Sequence, residues 1–395
     1  MSKAKKHAPE LLPELEIIFH CASAGKERGR IEELLQEGID WRRLETLARY
    51  HKVLPLLYHR LTNIDDSSVK KEEMLRLQAT YRHNAMRNLK LSVNLHRVLE
   101  LLGREGIEVI VFKGPALAIR AYDDLNRRTF ADLDLLVRPE DLAGIYDMMV
   151  AAGFRTPFPL DKKKMRFWQS FHRNIEFNDD ICGFDFHQQL IQGPDRFSLK
   201  EKTWQRKCAA ELLARDINLL SPEYSLFNLC VHGSKENWNF LRSLADISHL
   251  LARHPHLDWN SLVADIEEIG CLDVLLTGLH LCRLVCAREL PAEISGLIRS
   301  HRRVEKSAGR YYRQIMTGET KADRFRDTFS FIRSVDSAAP RLSLLIYFLF
   351  VPTPLDWKSL KLPGLLYPFY FLIRPLRLFF KLLTRIFSFF FTNTK

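Results

Sequence analysis

Apolar residues recur at helical spacing through the first hundred positions. Residues 11–21 and 30–38 read as short amphipathic helices, the second ended by Gly38. Asp40 is a good N-cap for a helix over 41–51, and a further helix over 53–61 carries Pro55 near its start. Leucines and methionines then predict one long helix over 71–102, stopped by Gly103 and Gly106. The pattern changes after that. Residues 108–112 are apolar and β-branched, which predicts a strand. A helix over 115–122, a strand over 129–137, a helix over 139–152 and a short strand over 154–157 follow. Residues 174–177 and 183–187 read as a hairpin around Asn178-Asp179-Asp180. From 200 to 340 the helical period returns, with Ser221-Pro222-Glu223 as a helix start. The expected class is α+β, a small mixed β-sheet core flanked by N-terminal and C-terminal helical regions.

The chemistry is densest between residues 109 and 137. The predicted strand runs into Lys113-Gly114-Pro115, and the next strand carries Asp132 and Asp134. Strand side chains alternate, so these two acids share one face about 7 Å apart while Leu133 and Leu135 face a core. Two neighbouring carboxylates repel, and a hard divalent cation is their natural partner. Gly114 permits close approach of backbone to a ligand. Pro115 suits the first position of a helix, whose N-terminus favours phosphate.

A strand, a glycine turn, a helix and a strand bearing Asp-x-Asp resemble the polymerase-β-type nucleotidyltransferases. The closer resemblance is to a bacterial branch known as uncharacterised nucleotidyltransferases. It rests on Lys113-Gly114, Arg128, Asp132, Asp134, Leu136 and Val137, and on two flanking sets. The first is Asp40-Trp41, Ala48, His51 and Pro55-Leu56-Leu57-Tyr58; the second runs from Leu229 through His232, Lys235, Trp238 and Arg242 to Asp246. The resemblance implies a nucleotidyltransferase core over 104–195, a helical region over 1–103 and another over 196–340. It implies transfer of a nucleoside monophosphate from an NTP to a hydroxyl acceptor, with Mg²⁺ (or Mn²⁺) held by Asp132, Asp134 and a third carboxylate. Asp185, in Phe184-Asp185-Phe186-His187, fits that third place, and Glu176 competes for it. His187 reads either as a structural histidine or as a ligand contact. Lys113, Gly114, Arg128, Lys235 and Arg242 are the expected nucleotide-binding residues, with Asp246 locking Arg242 at i+4. Arg128 would contact phosphate or brace the acidic strand. The chain departs from many superfamily members in having proline after Gly114 and a longer gap to Asp132.

Composition adds partners. Net charge is +11, which suits nucleotides, nucleic acid or anionic lipid. Seven cysteines without a Cys-x-x-Cys pair point to a reducing, cytoplasmic setting. His280, Cys282 and Cys286 read as helix-core residues rather than a metal site. Glu10, Glu14 and Glu16 break any signal-peptide core, and no internal repeat is evident. Residues 161–173 hold Lys162, Lys163, Lys164, Arg166 and Arg173 beside Phe167 and Trp168, which reads either as a solvated flexible loop or as one able to grip phosphate or stack a base.

The segment 341–395 is an apolar, basic tail. Residues 342–355 and 362–373 fall short of the roughly 20 apolar residues of a membrane span. Over 374–391, Arg374, Arg377, Lys381 and Arg385 fall within an arc of about 80°, as on a helix lying at an anionic membrane surface or, alternatively, on a terminal helix packed on the protein. The membrane placement would make the protein peripheral at the inner membrane. Two other functions fit the same residues: a non-catalytic nucleotide-binding scaffold at the membrane, and a nucleotidyl-modifying toxin acting on protein or RNA. Members of the resembled family often accompany surface-polysaccharide systems, which implies a sugar or lipid-linked glycan acceptor, with protein as the other candidate.

Overall fold

In the computed structural model, residues 11–25, 28–64, 69–157, 159–172, 174–199, 201–317 and 324–392 are described. Met1 to Glu10 and Arg173, both used in the sequence reading, lie outside the described residues. Helices α1 (Pro13–Ala22), α2 (Arg28–Glu37), α3 (Trp41–Tyr50) and α4 (Leu54–Leu61) lead into the long α5 (Lys71–Arg104). Asp40 caps α3 by accepting from the Arg43 N–H at 3.1 Å.

Six strands form one mixed sheet: β1 (Ile110–Val111), β2 (Asp132–Leu136), β3 (Asn174–Asn178), β4 (Gly183–His187), β5 (Cys208–Leu212) and β6 (Arg215–Leu219), in the order β3-β4-β2-β1-β6-β5. β2 runs antiparallel to β1 and parallel to β4, which pairs antiparallel with β3. The expected hairpin is present with nearly the expected bounds. The first strand is shorter than expected, and Arg155 makes only an isolated bridge to Asn178 where a strand was expected.

β5 and β6 correct the expectation that everything beyond residue 200 is helical. They add a hairpin to the sheet, with β6 parallel to β1. The turn between them places Leu213 and Ala214 at φ 49° and 59°. Such left-handed turns are usually signalled by Asn-Gly, and no such signal stands here.

The sheet separates two cores. Leu133, Leu135, Phe184 and Phe186 are fully buried on one face, under Leu91, Leu95 and Val98 of α5. Ile145 and Met149 of α7 (Leu142–Ala151) complete that layer. Ile110, Phe112 and Leu136 point the other way and join the larger helical core. Alternation therefore turns Asp132 and Asp134 toward the helical side.

Between β1 and β2 the chain makes one α-turn, α6 (Pro115–Leu117), continued by a π-helix over Ala118–Tyr122. The basic stretch expected as a loop is helix α8 (Lys162–Phe171). Asp161 accepts from the Lys164 N–H at 2.9 Å at its start. Met165 and Trp168 are buried one turn apart, and the Trp168 indole donates to the Asn174 carbonyl at 3.0 Å. Trp168 is thus a core residue rather than a base-stacking platform.

After α9 (Glu201–Gln205) come α10 (Pro222–Lys235), α11 (Arg242–Arg253), α12 (Trp259–Glu268) and α13 (Leu272–Cys286). Trp238, buried after α10, is seated against two glycines. A Cβ on Gly233 would lie 2.3 Å from its ring, and one on Gly278 would lie 2.9 Å away. Helices α14 (Ala292–Ser300), α15 (Arg302–Thr317) and α16 (Arg324–Ser334) complete that body.

The final segment folds as α17 (Ala338–Phe350), α18 (Pro354–Ser359), a 3₁₀ turn over Gly364–Phe369 and α19 (Tyr370–Thr392). Residues Ala338–Ser359 do have the length and apolar composition to cross a membrane, contrary to the expectation above. The chain divides them between α17 and α18, and buries Pro340, Leu344, Asp356 and Trp357 against the rest of the fold. Trp357 stacks on Tyr370 at 5.1 Å, and both rings belong to the core beneath the sheet.

Candidate active site

Gly114 follows β1 at φ 57°, ψ −125°. A Cβ there would sit 3.2 Å from the Asp132 carbonyl, so the turn needs glycine both for conformation and for space. The turn sets Lys113 beside the acidic strand. Lys113 Nζ lies 2.8 Å from Asp134 Oδ1, and His187 Nε2 lies 3.0 Å from the same oxygen. Asp134 is only 3% exposed. Burial alone would raise its carboxyl pKa, but the Lys113 charge and the His187 contact outweigh this and hold it well below the usual carboxylate range. His187 packs edge-on against Phe112, and burial makes its ring harder to protonate.

Register brings a third acid alongside. Asp134 on β2 is paired with Asp185 on β4, and Asp185 with Glu176 on β3, so three carboxylates stand in a row across the sheet. Among the described residues Asp185 makes no ion pair, and the Lys113 charge offsets only part of what burial and the neighbouring acids do to it. Its Oδ1 is buried without a hydrogen bond. Burial first, and then the charges of Asp134 and Glu176, push its carboxyl up to about 8. One ligand atom from each of Asp134, Asp185 and His187 lies within 4.8 Å of the others, a donor set that a divalent cation fits. Asp185, rather than Glu176, belongs to that cluster; Glu176 is exposed on the outer strand.

Asp134 also lines a pocket of about 330 Å³ together with Lys113, Gly114, Arg128, Asp132 and Arg242, all named from sequence; Asp185 and His187 are not part of its lining. Asp132 is exposed at the start of β2. Lys235 is not part of the lining. It is half-buried, its ammonium 5.5 Å from the Phe331 ring, and burial followed by the Lys113 charge brings its pKa down to about 8.

The expected Arg242–Asp246 lock is replaced by another pair. Asp246 lies 1% exposed and accepts from Arg128 Nε through both oxygens, at 3.1 and 3.0 Å, and from the Tyr122 hydroxyl at 2.8 Å. Asn84 and Asn88 of α5 donate to the Arg128 carbonyl. Arg128 is thereby held rigid, and braced by α11 rather than by the acidic strand. The Arg242 guanidinium instead meets Glu236 at 3.5 Å and His232 at 3.3 Å, while its backbone N–H donates to the His51 carbonyl.

Sequence reasoning missed Lys52, Arg87 and Glu236, and gave His232 no role; all four line the pocket. Lys52 is held at φ 59° between α3 and α4, with Nζ 4.0 Å from Glu236 and 4.1 Å from the centre of the Phe240 ring. A left-handed lysine is uncommon and leaves no mark in sequence, and Arg87 looks like any surface cation of a long helix.

A family model described as "Uncharacterised nucleotidyltransferase" matches residues 37–287. The chain belongs to this family. The match reaches from the Asp40 cap to the end of α13, so it includes the sheet, the acidic row and every residue lining the pocket. The protein is accordingly a transferase with a nucleotidyltransferase-type mixed sheet. Among solved structures, the antibiotic-resistance factor ANT(2'')-Ia is similar at 14% identity and a TM-score of 0.29, over 57% of this chain and 97% of that one. No curated relative matches in sequence.

Proposed function

We propose that the protein moves a nucleoside monophosphate from an NTP to a hydroxyl acceptor, using a divalent cation, Mg²⁺ or Mn²⁺, at Asp132, Asp134 and Asp185, with His187 as a further donor. The observation that carries this reading is the buried Asp185 oxygen without a hydrogen bond, clustered with His187 and with Asp134, which also lines a cationic pocket. Such a cation would offset the carboxylate repulsion and stabilise charge on the triphosphate. In the reaction a bond forms between the acceptor oxygen and the α-phosphorus, the acceptor's hydroxyl proton is released to solvent, and the bond from the α-phosphorus to the bridging oxygen of the β-phosphate breaks to release pyrophosphate.

The chain's own residues supply positioning. Lys113 neutralises Asp134 in the ligand-free protein and is near enough to turn to a phosphate oxygen instead. Arg128 presents a fixed guanidinium, and Lys52, Arg87 and Arg242 add positive charge around the pocket. Five cations against Asp132, Asp134 and Glu236 favour a neutral or anionic acceptor, such as a sugar or lipid-linked glycan, over a polycation. NTP as donor points to the cytoplasm as the place of action.

Incubation with NTPs labelled at the α-phosphate, Mg²⁺ and separate glycan, protein and RNA pools tests this reading. Metal-dependent label in one pool, lost in Asp134→Asn, is the expected outcome. Label entering a pool from a parallel γ-labelled NTP, with none from the α-labelled one, would refute nucleotidyl transfer.

A further inference from the structure

The terminal helix α19 is built inside out. Arg374 and Arg377, which the sequence leaves free to face either lipid headgroups or the protein, point into the protein. Arg374 donates to the Phe348 carbonyl at 3.0 and 2.8 Å and to Asp356 at 3.2 Å, and Arg377 also pairs with Asp356. Asp356 is completely buried and closes a capping box with Thr353 at the start of α18. Burial alone would raise the Asp356 pKa, but the Thr353 hydrogen bonds and the two arginines outweigh it and lower it.

The opposite side of the helix is apolar and uncovered. Leu372, Leu376, Phe379 and Phe380 are each more than half exposed, and fall within an arc of about 100°. The 3₁₀ turn before them carries Leu365, 95% exposed, and Phe369, 53% exposed. The neighbouring α17 continues the surface with an open apolar groove along residues 342, 346 and 350. Single exposed apolar residues are ordinary, but a continuous ridge of leucine and phenylalanine over a buried ion pair is not what water selects.

We propose that this ridge docks on an anionic lipid bilayer, lying in its surface rather than crossing it. The charge around it argues for lipid. From residue 356 to the end the chain has seven basic residues and one acid; that acid, Asp356, is buried against Arg374 and Arg377, which leaves the rest of the segment with an uncompensated positive excess. Lys358 and Lys361 remain exposed in the segment that leads to the 3₁₀ turn, close in sequence to the exposed Leu360 and Leu365, where they meet lipid phosphates while leucine and phenylalanine enter the acyl boundary. Leu365 and Phe369 at the 3₁₀ turn are the deepest-reaching contacts, and α19 and α17 lie along the surface behind them.

The full-length protein should co-sediment with phosphatidylcholine vesicles containing phosphatidylglycerol, and less with phosphatidylcholine alone. The triple variant Leu372→Glu/Leu376→Glu/Phe379→Glu should lose roughly tenfold or more of this partitioning, with its far-UV circular dichroism and thermal midpoint retained. A second variant avoids dependence on that helix's folding. Leu365→Trp should give a blue-shifted emission with anionic vesicles that brominated lipid quenches. Equal sedimentation of wild type and the triple variant, or an emission from the Leu365→Trp variant that is indifferent to vesicles, would overturn the proposal. So would a concentration-dependent dimer in lipid-free solution that the triple variant disperses, since the ridge would then be a contact between two copies.

Discussion

At the scale of the residue, Asp185 is the informative one. Its carboxyl is raised to about 8 from an ordinary value of 3.8. A raised acid binds its proton more tightly in the folded state, so it destabilises the metal-free fold progressively as pH rises between those two values. Asp185→Asn should therefore be more stable than wild type by roughly 1–3 kcal/mol at pH 8 without metal, with the gap closing near pH 4. Thermal melts across pH measure this, and a gap independent of pH would contradict it. Mg²⁺ should raise the melting temperature of wild type and leave the variant nearly unmoved. Strand alternation in the sequence puts Asp132 and Asp134 on one face, whereas Asp185 came from resemblance to an apolar-acid-apolar element with Glu176 competing, and it is the pairing of β4 with β2 that sets Asp185 beside Asp134. The Arg128–Asp246 pair was not legible in sequence, because 118 residues separate its members and only the packing of α11 against the π-helix brings them together.

At the scale of the element, local signals decided what could be read. The 174–187 hairpin carries alternation and a polar turn, and its strands were found within a residue or so. The β5–β6 hairpin carries Cys208-Ala-Ala-Glu-Leu and Arg215-Asp-Ile-Asn-Leu joined by Leu213-Ala214, sequences that suit a helix as well as a strand. Tertiary pairing of β6 with β1 overrides that local ambiguity. The α10–α13 contact depends on missing side chains. Gly233→Ala would drive a methyl group into the Trp238 ring, and should cost about 1–3 kcal/mol in chemical denaturation. An unchanged midpoint would mean that Trp238 has another place to go.

At the scale of the whole molecule, the pocket is shared by three stretches of chain. β1, β2 and the turn between them bring Lys113, Gly114 and the acids; α10 and α11 bring His232, Glu236 and Arg242; the N-terminal helices bring Lys52. The helical flanks are thus part of the site, and this was the least visible feature in sequence, since helical periodicity reports what a face buries and not which cations it lends to a distant sheet. Lys52→Ala should weaken NTP binding about three- to tenfold while leaving the melting temperature within a degree or two, because its side chain is partly solvated and its ion contact is long. Loss of stability without loss of affinity would assign Lys52 to structure alone.

The most direct measurement is calorimetric titration of ATP, GTP, CTP and UTP into the full-length protein, with and without Mg²⁺, in parallel with Asp134→Asn/Asp185→Asn. Binding of at least one NTP that requires Mg²⁺ and disappears in the double variant is the predicted result. Metal-independent binding of equal strength in both proteins, or no binding of any NTP to the wild type, would contradict the assignment of the acidic row and its pocket to nucleotidyl transfer.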